Sequence, residues 1–318
     1  MKKLTLGRTG IEVTELCFGT LPIGPLQKNM PLDEASDIIA YALKSGINFI
    51  DTAQMYKTYP HIRLAIKKSG ITPVISTKSA AGTYPQMQEA VEQALTELDV
   101  NKIDIFLLHA ARAGNDVLTE REDAIKCLLE YKKKGIIKAI GISTHVVDIV
   151  NAAASHPEID VVFPLLNRIG MGIRNGTYED MEAAINKCHE NNKGVFLMKV
   201  LAGGNLVNDY KASMDYIANF SSGRFSYSIG MLSKPEVDMN IKYLRNEDIS
   251  NELNTPTITD KIFVVMKNLC IKCAKCAQAC HSDAINVNET TPADIDQSKC
   301  LKCGYCVTSC PQFVIRMN

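Results

Sequence analysis

Tryptophan is absent, aromatic residues make up only 6% of the 318 positions, and the 35 basic side chains are matched by 35 acidic ones. With no excess of positive charge, the chain lacks the electrostatic means to grip a nucleic-acid backbone or an anionic membrane surface. No stretch approaches the roughly 18 consecutive apolar residues of a transmembrane helix. The opening MKKLTLGRTG is basic, but Gly7 and Arg8 interrupt it before the apolar core of a signal sequence forms. A soluble, cytoplasmic protein with neither nucleic-acid nor membrane partners is expected.

Cysteine is scarce over most of the chain and then abundant. Cys17, Cys127 and Cys188 are spread over the first 269 residues, whereas the other eight of the 11 lie between Cys270 and Cys310. The scattered three read as small apolar core residues. The clustered eight indicate metal binding rather than a disulfide framework, which would spread its cysteines through a small fold. Two units joined end to end are expected: residues 1–245, a polar connecting segment over 246–260 broken by Pro256, and a short unit over 261–318.

The long unit also lacks a GxGxxG motif after its first strand, which argues against a doubly wound dinucleotide-binding sheet. Instead, eight β-branched or apolar runs, ELCFGT, NFIDT, PVISTK, IDIFLLH, IKAIGIS, DVVFPLL, GVFLMKV and RFSYSIG, alternate with amphipathic stretches. Helices are expected over Asp33–Ser45, Pro85–Leu98, Thr119–Lys134, Tyr178–Asn192 and Pro235–Leu244, with others near Arg63, Val147 and Ala212. Successive strand ends at Asp51, Lys78, His109, Ser143, Asn167, Lys199 and Gly230 are spaced 24 to 34 residues apart. That period fits an α/β fold, a (β/α)8 TIM barrel, and some 245 residues suit its usual length of roughly 250. Before it, KLTLGRTGIEVT reads as a hairpin turning at Arg8-Thr9-Gly10 and capping the bottom of the barrel.

Residues at the carboxyl ends of barrel strands form the catalytic face. Asp51, Lys78 and His109 occupy three of these ends, and Tyr56 follows Asp51 in the loop. A free phenol, with a pKa of about 10, is a poor acid at neutral pH. Lys78 is expected to stabilise its phenolate, Asp51 to hold the lysine, and His109 to orient a carbonyl while Tyr56 protonates its oxygen. Arg112 and His145, near the mouth, are read as either substrate contacts or loop residues bonded to backbone, and Lys199 as either a phosphate contact or an internal ion-pair partner.

The segments LGRTGIEVTELCFGT, DTAQMY, the strand-end Lys78, LLH ending at His109 and GIST at Ser143 together resemble the aldo-keto reductase family across the whole barrel. The resemblance implies an NAD(P)H-dependent oxidoreductase that interconverts a small carbonyl and an alcohol. It makes Asp51, Tyr56, Lys78 and His109 the catalytic tetrad. It also implies a nicotinamide dinucleotide, NADP or NAD, across the mouth, with Ser143 and Thr144 at the carboxamide and Asn167 nearby. GMLSKPEVDMN resembles the family's phosphate and adenosine loop, which makes Gly230, Ser233, Lys234 and Asn240 cofactor contacts. The sequence departs from the family where Phe163 stands in place of a glutamine and Thr144 in place of an asparagine. A flavin is the alternative occupant, since such barrels bind phosphate near strands seven and eight.

In the short unit, NLCIKCAKCAQAC and SKCLKCGYCVTSCP repeat at an offset of 30, each reading C-x2-C-x2-C-x3-C. Three thiolates within seven residues suit a corner of an iron–sulfur cube better than a zinc site, which spaces two cysteine pairs by a longer loop. The unit resembles a bacterial two-cluster ferredoxin, a small α+β fold. The resemblance implies that Cys270, Cys273, Cys276 and Cys310 hold one [4Fe–4S] cluster, and Cys300, Cys303, Cys306 and Cys280 the other. His281 stands where the second half has Pro311. With only 49 residues from Cys270 to the end, the clusters are expected to hold the unit together. The pairing points to a reductase whose clusters exchange electrons with an external carrier. The alternatives are a reductase with structural or sensing clusters, and an electron-transfer or binding subunit whose barrel does no hydride chemistry.

Overall fold

The structure is a computed structural model that describes residues 1–111, 113–253, 262–312 and 314–317. Arg112 and residues 254–261, the latter part of the expected linker and the first residue of the short unit, lie outside the described residues.

A hairpin opens the fold, with β1 (Lys3–Thr5) antiparallel to β2 (Glu12–Thr14). The chain reverses through a 3-10 turn over Gly7–Thr9 and a left-handed Gly10. Leu6, Ile11 and Val13 are buried with Phe49, Ile105, Leu107 and Phe196 in the cluster inside the barrel. The hairpin thus plugs the end where the strands begin.

Eight parallel strands close on themselves: β3 (Leu16–Gly19), β4 (Phe49–Asp51), β5 (Val74–Ser79), β6 (Ile103–His109), β7 (Ile137–Thr144), β8 (Val161–Pro164), β9 (Gly194–Met198) and β10 (Ser226–Gly230), which pairs back with β3. Both faces of these strands are apolar because both are covered. Along β6, Ile105 and Leu107 face the interior cluster, while Phe106 and Leu108 join the larger core between sheet and helices. That outer layer is α1 (Leu32–Lys44), α2 (Tyr59–Ser69), α3 (Tyr84–Leu98), α4 (Val117–Glu120), α5 (Glu122–Lys133), α6 (Val147–Ser155), α7 (Tyr178–Glu190), α8 (Tyr210–Ser221) and α9 (Lys234–Leu244).

The helix expected over Thr119–Lys134 is broken between α4 and α5 at Arg121, with φ −110° and ψ 26°. Its guanidinium donates to the His109 carbonyl at 3.1 Å. The break places a cation under the end of β6 that a continuous helix would carry elsewhere.

After α10 (Ser250–Leu253) comes the short unit. β11 (Phe263–Val265) pairs with β14 (Ile315–Met317), and β12 (Ile285–Asn286) with β13 (Asp294–Ile295). Between them lie two single-turn helices, α11 (Lys275–Gln278) and α12 (Tyr305–Ser309). Cys276, Cys280, Cys300, Cys306 and Cys310 form its core together with Phe263, Ala284 and Val314.

This unit is seated on the barrel mouth through the segment 300–306. Leu301 is buried among Phe163, Leu165 and Met198 of the barrel interior. Asn205 donates to the Cys300 carbonyl at 2.8 Å, and Arg174 pairs with Asp283 at 2.6 Å. Two glycines permit the approach. A Cβ on Gly203 (φ +68°) would lie 2.0 Å from the Leu301 carbonyl oxygen, and one on Gly304 (φ +79°) only 1.7 Å from that of Leu26. Neither backbone can yield without unseating the contact. Gly203→Ala should therefore loosen the cluster unit while sparing the barrel. Amide hydrogen exchange over residues 300–306 should rise at least tenfold, with the exchange of β5 and β6 unchanged.

Candidate active site

Parallel pairing brings the strand ends together. Asp51 lies opposite Ser76, Lys78 opposite Leu107, and His109 opposite Ser143. Lys78 is 1% exposed and Asp51 4%, so the ammonium needs internal acceptors for all three of its protons. It donates to Asp51 Oδ1 at 2.8 Å, Asp51 Oδ2 at 2.7 Å and the Thr52 carbonyl at 2.7 Å. Burial pushes the Asp51 carboxyl up and the Lys78 ammonium down, and their mutual attraction opposes both shifts.

Tyr56 is carried by a 3-10 turn over Gln54–Tyr56 that follows β4. The loop is fixed by a relay of hydroxyls, Thr52 to Thr58 at 2.8 Å and Thr58 to Thr20 at 2.9 Å. The Lys78 ammonium sits 5.0 Å from the centre of the Tyr56 ring, but its protons go to Asp51 and Thr52. The expected acidification of Tyr56 by Lys78 is accordingly not found: burial pushes the phenol well up, and Tyr305 and Asp51 add to the shift. Desolvation of a phenolate outweighs a cation already engaged elsewhere. His109 is held well below the usual imidazole range, by burial first and then by Lys78, and is neutral.

The hydroxyl of Tyr305, from the cluster unit, lies 3.3 Å from that of Tyr56 and 3.2 Å from His109 Nε2. Its ring meets His281 edge-on at 4.3 Å, and His281 in turn meets His145 at 5.6 Å. No periodicity joins positions 249 residues apart, so Tyr305 escaped the sequence reading. His281 in the proline position was the one local sign.

Beside Tyr56 opens a cavity of about 510 Å³, lined among others by Asp51, Phe163, Lys199, Gly230, Glu236 and Asn240. The residues expected to hold a cofactor divide into two groups. Ser143 Oγ is buried without a hydrogen-bond partner, an orphaned polar atom that suits a carboxamide. Gly230 and Asn240 line the cavity, and Lys199 (φ +60°) brings a cation to it. The other group is engaged with the chain itself. Thr144 accepts from the Val146 amide at 3.2 Å. Asn167 donates to the Met171 carbonyl at 2.9 Å and accepts from its amide at 3.0 Å. Ser233 caps α9 by accepting from the Glu236 amide, the Glu236 carboxylate takes the Leu232 N–H at 2.7 Å, and Lys234 lies over the Tyr41 ring. Phe163 stacks on Phe196 at 3.8 Å. Of the residues expected to hold a nicotinamide dinucleotide, Gly230 and Asn240 line this cavity, while Ser143 is buried with its Oγ unpartnered and is not on the cavity wall.

A second cavity is lined by Cys270, Cys273, Cys276 and Cys310 together. Cys280, Cys300 and Cys306 are buried in the core of the same unit, and Cys303 packs beside Tyr305. Backbone amides point at two of the sulfurs, Ala284 N–H at Cys280 (3.2 Å) and Lys302 N–H at Cys300 (3.4 Å). Eight thiols in two sets of four suit thiolate-ligated iron–sulfur clusters.

The model of the aldo/keto reductase family matches residues 15–245. The chain belongs to the aldo/keto reductase family. A 4Fe-4S dicluster domain matches residues 269–316, so this family member carries a ferredoxin-type unit at the mouth of its barrel. Among curated relatives, the chain is 27% identical over 178 residues to methylglyoxal reductase DkgA of Escherichia coli K12, covering 53% of this chain and 64% of that protein. It is 27% identical over 159 residues to the uncharacterized oxidoreductase YqkF of Bacillus subtilis, covering 45% of this chain and 49% of that protein. The chain thus spans about half to just under two thirds of the length of these relatives. Its fold is that of the solved aldo-keto reductase AKR11C1 from Bacillus halodurans, with a TM-score of 0.64, 19% identity, and 80% and 94% of the two chains covered.

Asp51→Asn in this family member leaves the Lys78 ammonium buried without a counter-charge. Loss of one partner of such a pair costs about 3–5 kcal/mol, which should appear as a lowered urea midpoint of the barrel. Asp33→Asn, which opens an exposed contact with Lys68, should leave that midpoint within error.

Proposed function

We propose that the protein is an NAD(P)H-dependent oxidoreductase that interconverts a small carbonyl and its alcohol at Tyr56, and that its two [4Fe–4S] clusters exchange electrons with that site and with an external carrier. The observation that carries this reading is the convergence of Asp51, Tyr56, Lys78 and His109 at one barrel mouth. Supporting the second part, Tyr305 lies between Cys303 and Cys306 in sequence and reaches Tyr56 in space. A bound nicotinamide would supply hydride to the carbonyl carbon, and each cluster would store one electron.

The chain's own residues do the rest. Tyr56 holds its proton, raised by burial, and delivers it from Oη to the substrate oxygen. Neutral His109 offers Nε2 to the same oxygen and orients it. Lys78 and Asp51 fix the electrostatic field behind the phenol, and the phenolate left after transfer regains its proton from solvent through the cavity that Tyr56 lines. Ser143 binds and orients the cofactor's amide. Phe163 and Met198 exclude water from the cavity floor, which strengthens each of these contacts.

Tyr56→Phe should lower carbonyl reduction by at least a hundredfold, with the visible absorption of the clusters unchanged. Anaerobic addition of NADPH or NADH should bleach that absorption. Clusters that stay oxidised while a carbonyl is reduced would restrict the ferredoxin unit to docking or sensing. The pH profile supplies a separate check. A phenol held above its ordinary value keeps its proton as pH rises, and an imidazole held below its own stays neutral as pH falls. Neither changes state between about pH 7 and pH 9, so kcat/KM for reduction should be flat there. An inflection in that window would assign proton transfer to another group.

A further inference from the structure

The place a substrate oxygen needs is filled by the protein. The Tyr305 hydroxyl meets Tyr56 Oη at 3.3 Å and His109 Nε2 at 3.2 Å, as an oxygen hydrogen-bonded to both would. The phenol is built into this position. Tyr305 is 6% exposed and packs with Leu21, Leu26, Ala53 and Tyr56, and His281 covers its ring. Gly304 lies against the Leu26 carbonyl and Leu301 is anchored in the barrel, so the loop that presents Tyr305 is pinned on both sides.

We propose that Tyr305 is a specificity-determining residue which the ferredoxin unit lends to the barrel: it occupies the substrate-oxygen position as an internal competitor, and a carbonyl compound reaches Tyr56 only by displacing it. The inference rests on the reading of Tyr56 as proton donor. Because the competitor is tethered, its local concentration is high at any dilution, and the apparent affinity for substrate falls by the fraction of time the position is open. Competition of this kind acts on KM and leaves kcat nearly alone. The slot Tyr305 vacates has the shape of a phenol, bounded by Leu21, Leu26 and His281, so its removal favours aryl carbonyls over short aliphatic ones.

The test is steady-state reduction of benzaldehyde and of propionaldehyde by the full-length, cluster-loaded protein. Y305A should lower KM for benzaldehyde at least tenfold with kcat within threefold, and should gain less for propionaldehyde. Y305F, which keeps the ring but not the hydroxyl, should show under a third of the Y305A gain. Iron content and visible absorption check that the loop has kept its cluster; if Y305A loses iron, Y305L is read in its place with the same expected fall in KM. The gain should vanish in Y56F/Y305A. A KM unchanged or raised in Y305A, with turnover still sensitive to Tyr56→Phe, would overturn the competitor role and leave the proton donor standing. Turnover of Y305A that survives Tyr56→Phe would overturn both.

Discussion

A lysine ammonium enclosed in a barrel has to be satisfied on all three protons, and this requirement at Lys78 organises the mouth of the protein. Both carboxylate oxygens of Asp51 and the Thr52 carbonyl meet it, which locks the end of β4 to the end of β5. Once Thr52 is fixed, the hydroxyl relay through Thr58 and Thr20 fixes the loop that carries Tyr56. A neighbouring cation depresses an imidazole just as a carboxylate attracts one, so Lys78 also contributes to keeping His109 neutral. One buried charge thereby sets the position of one proton-bearing group and the charge state of another.

The same mouth holds the second unit. Cys300 and Cys303 flank Leu301 and Lys302, so the segment that would wrap one cluster is also the segment that enters the barrel. Metal binding couples to the folding of the loop that holds it, and Tyr305 and Leu301 lie in the loop that Cys300 and Cys303 would hold. The family fold and the ferredoxin fold are therefore in contact through packing, by way of Leu301 and Tyr305.

Much of this was legible in the sequence because it is local or periodic. The spacing of strand ends announced the barrel, the Arg8-Thr9-Gly10 turn the hairpin, and the thirty-residue repeat of cysteines the iron–sulfur unit. Asp51, Lys78 and His109 could be aligned because a parallel strand places its last residue on one known face. The split between α4 and α5 was not legible, since apolar spacing continues through Arg121 and only the His109 carbonyl, distant in sequence, explains the break. Lys234 and Ser233 read as cofactor contacts because a helix start with nearby bases suits phosphate, yet Glu236 and Tyr41 engage that helix start from within. Tyr305 was the furthest from view: its meaning depends on how two separately folded units are set against each other, and no motif encodes that.

The hairpin closes the end of the barrel where the strands begin, which leaves the mouth as the doorway among the described residues. The cofactor and substrate of the proposed reaction would share that end with the segment 300–306. Traffic through one doorway is sequential: whatever lies deepest enters first and leaves last. Lys302, from the segment 300–306, stands on the wall of the cavity beside Tyr56. Under the proposed function, cofactor and substrate would enter in a set order, and the packing of the ferredoxin-type unit at that end would bear on how long each stays.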